Sequence, residues 1–426
     1  MNAIRSAIFA GLAAALLATA SGRGDDWPQW RGPERDGAWN EAGVSEAFPA
    51  GGPPVRWRVP VGPGWSSPIV AAGRVYLTDA RLDAPRADER VLCFDAETGK
   101  PRWDHSYPVT YPEWAFPARG PTATPLVREG KLYTLGNKGN LHCFDAARGN
   151  VLWTRDLEAD YQLQEFAFNS SPLVEGNLLV LSIGTYMGKS PACVLALDRH
   201  TGEEQWKALG ESLTNSSPIV VSAGGRRQLV VWTQESVSSL DPATGETLWR
   251  EPMKTQAASA VATPVCRGNR LYAGGLMFEL EAGRPAATVL WPATRAVSRR
   301  VLSNTSTALL RGDQLFSARS SGELVCLDAA TGRELWTTDK ATAARSGASI
   351  HLTPNGDSVF LFTDEGNLVR ARPTAEGYEE LGRAHLIEPT GSWKVTWAHP
   401  AYSGRSLFVR NDKELICVSL AAEGER

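Results

Sequence analysis

The stretch CFDAETGKPRW, Cys93 to Trp103, decides the fold, because the chain repeats its form four more times. The other copies are CFDAARGNVLW (Cys143 to Trp153), ALDRHTGEEQW (Ala196 to Trp206), SLDPATGETLW (Ser239 to Trp249) and CLDAATGRELW (Cys326 to Trp336). In each copy Asp stands four residues before Gly and eight before Trp. The apolar residues ahead of the Asp read as a strand with one buried face. The segment from Asp to Gly reads as a turn, with Asp accepting backbone hydrogens and Gly taking the positive φ. The residues after Gly form the next strand, which ends in Trp. Strand pairs at this period, with no helical pattern between them, predict an all-β fold, a β-propeller. An indole at a fixed place on each outer strand buries about 150–250 Å² and can fill the wedge between blades. Trp103, Trp153, Trp206, Trp249 and Trp336 are therefore expected to be structural docking residues, along with Trp57 and Trp291 in less regular copies.

A second repeat marks the start of each unit: a small polar pair, often followed by Pro, then an apolar strand. It occurs as SSPIV at Ser66, ATPLV at Ala123, SSPLV at Ser170, SSPIV at Ser216 and ATPVC at Ala262. STALL at Ser306, ASIHL at Ala348 and AHPAY at Ala398 are weaker copies. Eight starts predict eight blades of four antiparallel strands. The last unit stops at LICVSL (Leu415 to Leu420) with no Trp-bearing strand after it, and VRWRV (Val55 to Val59) supplies that strand from the front of the chain. Pairing the first strand with the last unit closes the ring and removes its open edge. The unit ending at Trp291 has an irregular turn and the unit around Gly377-Tyr378 has no Trp, so that sector is expected to be the loosest.

Residues 1–20 carry Arg5 and then an apolar run ending in Ala18-Thr19-Ala20. This reads as a secretory signal peptide, too short and too rich in Ala and Gly for a good membrane span. No cysteine lies near the cleavage site, so no lipid anchor is expected, and no later segment is apolar enough to span a bilayer. The chain is expected to be periplasmic or secreted, and a monomer. Residues 21–54 have no strand period but contain Trp27, Trp30 and Trp39, and are expected to strap across the ring; the propeller then occupies residues 55–426. A net charge of −3 without a basic block excludes nucleic acid as a natural partner. Of six cysteines, Cys93, Cys143, Cys326 and Cys417 sit at equivalent places in different units, too far apart for disulfides, and read as small buried hydrophobes. Cys193 and Cys266 remain open as a pair.

The longest insertions, Asp79 to Arg90, Asp104 to Gly120 and Thr154 to Asn169, fall on one face. The last two carry Tyr107, Tyr111, Trp114, Phe116, Tyr161, Phe166 and Phe168. These aromatics either form a binding surface or pack the loops down onto the blades. The residue three before each unit-start Pro should line the axial rim: Trp65, Thr122, Asn169, Asn215 and Val261, with Thr305 and Trp397 in the weaker units. Two indoles, two amides and the nearby Arg119 are candidates to bind a planar or sugar-like ligand; the alternative is a polar lining for a wet channel.

The Asp-x-x-Thr-Gly-x-x-x-Trp sentence resembles the tryptophan-docking repeat of the pyrroloquinoline quinone (PQQ) dehydrogenases and of their non-catalytic relatives. Those relatives include the propeller lipoprotein of the outer-membrane β-barrel assembly machine. DWPQWRGP (Asp26 to Pro33) is similar to the opening of many exported PQQ-like propellers. The dehydrogenase branch implies a cofactor stacked between a Trp floor and a disulfide of adjacent cysteines, a Ca²⁺ with oxygen ligands, and an Asp base. This chain has no adjacent cysteine pair, and no Glu/Asn/Asp set matches such a site. Its six histidines show no metal-ligand spacing. The expected function is therefore a non-catalytic binding or interaction scaffold in the cell envelope, with an envelope protein or small ligand on the loop-lined face and neither catalytic residues, metal nor cofactor. The alternatives are a dehydrogenase using PQQ with Ca²⁺, and an outer-membrane protein assembly factor.

Overall fold

A computed structural model of the chain describes residues 26–111, 120–163, 168–185, 190–253, 260–292, 303, 305–343, 347–391 and 393–422. These form eight separate four-stranded antiparallel sheets arranged as an eight-bladed propeller, as the repeats predict. Blade 1 comprises Ile69–Ala71, Arg74–Asp83, Arg86–Asp95 and Pro101–Thr110, from the axis outward. Blades 2 to 7 follow in chain order with inner strands starting at Leu126, Leu173, Ile219, Val265, Leu309 and Ile350. Blade 8 takes Ala401–Ser403, Ser406–Arg410 and Glu414–Ser419, and its fourth strand is Val55–Pro60, paired from Val55↔Val418 to Pro60↔Glu414.

The repeated sentence has one physical meaning in every regular blade. Its Asp caps the turn: Asp95 Oδ1 accepts from the Thr98 N–H over 2.9 Å, and Asp145 Oδ1 from the N–H groups of Ala147 and Arg148, both over 2.9 Å. A register shift after the third-strand residue then sets each indole opposite a small side chain: Trp57 faces Cys417, Trp103 faces Cys93, Trp153 faces Cys143 and Trp336 faces Cys326. Directly opposed residues share a face of the sheet, so a bulky residue there would compete with the ring. That explains four of the six cysteines, and all six, Cys193 and Cys266 included, are free thiols.

Each indole docks on the blade that follows it. Trp57 Nε1 donates to Ala96 O over 3.1 Å, Trp103 to Ala146 O over 3.1 Å, Trp153 to Arg199 O over 3.3 Å, Trp206 to Pro242 O over 3.2 Å and Trp291 to Ala329 O over 2.9 Å. In those same turns the ring lies on the glycine. A Cβ on Gly149 would sit 2.6 Å from Trp103 Cδ2, and one on Gly245 would sit 2.5 Å from Trp206 Cε3. Gly is thus required for its positive φ and for the indole that covers it. Two junctions depart from the rule. Trp249 Nε1 donates to Gln228 Oε1 in its own blade over 2.8 Å, because blade 5 has no such turn. Trp336 still reaches Thr374 O over 2.8 Å, but no glycine lies beneath it.

Residues 26–54 cross the face opposite the long insertions. Trp27 pairs with Val70 of blade 1, Pro28 O accepts from Val127 N of blade 2, and Arg35 donates to Pro172 O of blade 3 over 2.7 Å. Further on, Trp39 N donates to Pro354 O of blade 7 and Ser45 N to Leu420 O beyond blade 8. Arg31 and Arg35 are buried and held mainly by main-chain carbonyls; desolvation lowers their pKa values to about 10 and about 9.

Candidate functional site

The rim positions meet one another across blades. Thr122 Oγ1 donates to Asn169 Oδ1, and Asn169 Nδ2 donates to Asn215 Oδ1 over 3.1 Å. Beside Thr122, where the first and last units meet, the Trp65 and Trp397 rings meet edge to face, centroids 5.0 Å apart at 70°. Contacts between equivalent positions of successive blades can form only at the hub, so these residues ring the axis. Thr305 Oγ1 joins the ring through Ala348 O over 3.3 Å, and Val261 is half-buried. Arg119 lies outside the described residues, as do Trp114, Phe116 and Phe166.

The hydrogen-bonding arc is anchored from behind. Asn137 Oδ1 lies 3.2 Å from Thr122 Oγ1, and its Nδ2 donates to Gly120 O over 2.6 Å. The Asn137 N–H donates to Glu89 Oε1 over 3.0 Å. Glu89 also accepts from Tyr111 over 2.5 Å and Tyr107 over 2.7 Å, and is fully buried. Burial raises its pKa against the pull of those three donors.

Glu89, Tyr107 and Tyr111 reach this place because blade 1 is taller than its neighbours. The charged stretch Asp79 to Arg90, read from sequence as an inserted loop, is instead continuous strand pairing from Arg74↔Asp95 to Asp83↔Arg86. Its buried charges are partnered: Arg90 donates to Asp79 over 2.5 Å, Asp79 also accepts from Gly62 N, and Glu89 holds the tyrosines. Of the loop aromatics within the described residues, Tyr111 and Phe168 are buried, and Tyr161 donates to Glu204. They pack the loops onto the blades.

Among the described residues the one exposed tryptophan is one that sequence reasoning missed. Trp393 is 57% exposed and stands 4.9 Å from Trp397 at 87° and 5.8 Å from Trp65. Its only signal is its place four residues before Trp397 in GSWKVTW.

The floor of this mouth is Trp30. Its Nε1 donates to Thr263 Oγ1 of the blade 5 unit over 2.8 Å, and its ring meets His399 of the blade 8 unit at 5.5 Å. Thr263 and His399 each stand two residues past the rim position of their unit. The indole therefore lies across the channel, supplied by the segment that closes the other end. The His399 ring lies 4.7 Å from that of His351, tilted by 46°, and His351 Nε2 lies 2.9 Å from Trp397 O. Burial lowers the His351 pKa to about 4 and pushes His399 well below its ordinary value.

This donor set does not fit a Ca²⁺–quinone centre. The described rim positions offer indoles, amides and hydroxyls but no carboxylate. Glu89 is turned away into its tyrosines, and Asp412 accepts from Gly64 N over 3.3 Å in the field of buried Arg410. Among the described residues no three His, Cys, Asp or Glu side chains converge. The rim indoles meet at 44°, 70° and 87°, so no two of them lie parallel.

Residues 87–277 match the family model described as outer membrane protein assembly factor BamB. BamB of Shewanella oneidensis is 25% identical over 282 residues, 63% of this chain and 67% of that protein. The quinoprotein alcohol dehydrogenase PedH of Pseudomonas putida is 27% identical over 161 residues, 33% of this chain and 25% of that protein. The solved structure of the quinohemoprotein alcohol dehydrogenase from Comamonas testosteroni shares the fold, with a TM-score of 0.64 at 12% identity, covering 93% of this chain and 81% of that one. Among the described residues no helix is long and apolar enough to cross a membrane.

Proposed function

We propose that this chain, a PQQ-like repeat propeller related to the assembly factor BamB, is an exported, non-catalytic binding scaffold of the cell envelope. The observation that carries the reading is the hub: a mouth lined by indoles, amides and hydroxyls, floored by Trp30, with no carboxylate among its described rim positions. Proton abstraction from an alcohol needs a positioned base of suitable pKa, and Glu89, the carboxylate behind the rim arc, is buried and accepts from Tyr107, Tyr111 and Asn137. Binding needs only the rigid rim. The signal-like leader supports a periplasmic or secreted location, and the closed ring supports a monomer that engages an envelope protein or a small ligand on the face of the long insertions.

A dye-linked assay with PQQ and Ca²⁺ added to the purified protein tests this against the oxidoreductase reading, which the PedH similarity favours. Background rates across primary alcohols and aldoses are expected; turnover of any of them would overturn the scaffold. The assembly-factor reading, favoured by the BamB match, has its own test. Loss of outer-membrane barrel proteins on deletion of the gene, restored by the full chain, would make the scaffold's partner an assembly component.

A further inference from the structure

We propose that the axial mouth binds an uncharged pyranose unit, so that the small ligand of the scaffold reading, on which this inference rests, is a neutral glycan. The geometry discriminates between ligand shapes. Trp65, Trp393 and Trp397 meet at 44°, 70° and 87°, so they form the corner of a box and not a pair of parallel plates. A flat aromatic or quinone seeks a parallel slot, whereas a puckered sugar presents axial C–H groups to an indole face and hydroxyls around its rim. Running on from the corner through the units of blades 2, 3 and 4 stand Thr122, Asn169 and Asn215, whose hydroxyl and amide groups both donate and accept, as sugar hydroxyls do. All six side chains are neutral, which suits an uncharged ring.

The depth fits the same ligand. Trp30 closes the channel two residues beyond the rim, about 7 Å down for extended chain. A single hexose ring seated over Trp30 would leave the rest of a chain outside the rim. Trp393, 57% exposed, is then the outer contact where the next unit would emerge. Its exposure also makes it replaceable without loss of core packing.

The full mature chain is titrated with neutral hexasaccharides (cellohexaose, maltohexaose and N-acetylchitohexaose), following tryptophan fluorescence and, separately, heat. Saturable change with at least one of them is expected, weakened about tenfold, or 1.4 kcal/mol, in Trp393→Ala. Asn215→Ala is expected to weaken it as well, while Val151→Ala, an exposed outer-strand control, leaves it unchanged. Unfolding midpoints of the variants identify any that fail to fold, and Trp393→Phe, expected to retain most of the affinity, serves as the second variant. No saturation by any hexasaccharide up to about 5 mM would overturn the proposal, as would equal binding by Trp393→Ala. Saturation by free PQQ with no response to sugars would overturn it in favour of a flat ligand. Dehydrogenase turnover is the separate outcome that removes the scaffold reading itself.

Discussion

At the scale of single residues, the junction chemistry couples two positions that sit in different blades. Gly149 has φ +76° under the ring of Trp103, and Gly73 has φ +74° with nothing within 4 Å of its Cβ position. Gly73→Ala is expected to lose only the left-handed-backbone cost, about 1–2 kcal/mol. Gly149→Ala adds displacement of an indole, about 1–3 kcal/mol more. Urea unfolding of the two variants measures the difference, and equal losses would show that the ring does not rest on the turn. A second residue-scale effect follows pH. His351 is buried against His399, beside Arg31, with its folded pKa lowered from 6.5 to about 4. The unfolded chain therefore binds more protons below pH 6.5, so this stability is full above 6.5 and is lost as pH falls toward 4, to roughly 3 kcal/mol. His351→Gln is expected to reduce the slope of the unfolding midpoint against pH over that window, with His399 supplying part of what remains; an unchanged slope would place the proton uptake elsewhere. The eight-residue spacing from Asp to Trp was legible in the sequence. The partnership of Trp103 with Gly149 was not, because a period shows which residues recur and not which copy each one touches.

At the scale of elements, the blades were legible wherever the turn sentence was intact, and the closing strand was legible from its displaced Trp57. What misled was charge. Asp79, Glu89 and Arg90 made a strand read as a loop, because burial of acids is rare unless they are partnered, and the partners Gly62, Tyr107 and Tyr111 lie in other segments. Trp393 was passed over for a related reason: it obeys no repeat, and only the fold brings it to Trp65. Closure itself is an element-scale claim. Val55–Pro60 covers the Glu414–Ser419 edge through a five-residue register. Removing everything through Pro60 leaves that edge bare, and bare edges pair with other chains. Light scattering after gel filtration is expected to show larger species than the parent, whereas Trp57→Phe, which keeps the strand, is expected to leave the size unchanged and cost about 1 kcal/mol for the lost hydrogen bond. Parent-like size after the truncation would mean that another segment shields blade 8.

At the scale of the whole molecule, ring stability is approximately a sum of blades and the interfaces between neighbours, so the weakest junction governs where it opens. Blade 7 carries no outer-strand Trp, yet its junction with blade 8 is not empty. Trp39 stands 5.8 Å from Phe360 and 5.0 Å from Tyr402, and Phe48 stands 6.5 Å from Phe360, so the strap supplies the aromatics that the repeat lacks there. The junction of blades 4 and 5 has no such help: Trp249 packs on Phe278 at 5.7 Å but spends its N–H on Gln228 of its own blade. Hydrogen exchange is therefore expected to be fastest, among strand amides, in Thr247–Pro252 and the blade 5 strands. Trp39→Ala removes a fully buried indole, a loss of about 3–5 kcal/mol, and should move the weak point. Protection then falls in Ser358–Pro373 and Ala401–Arg410 while blades 1 to 3 keep theirs. A uniform loss across all eight blades would mean that the ring opens as one unit and that the strap acts on the whole disc, not on a single seam.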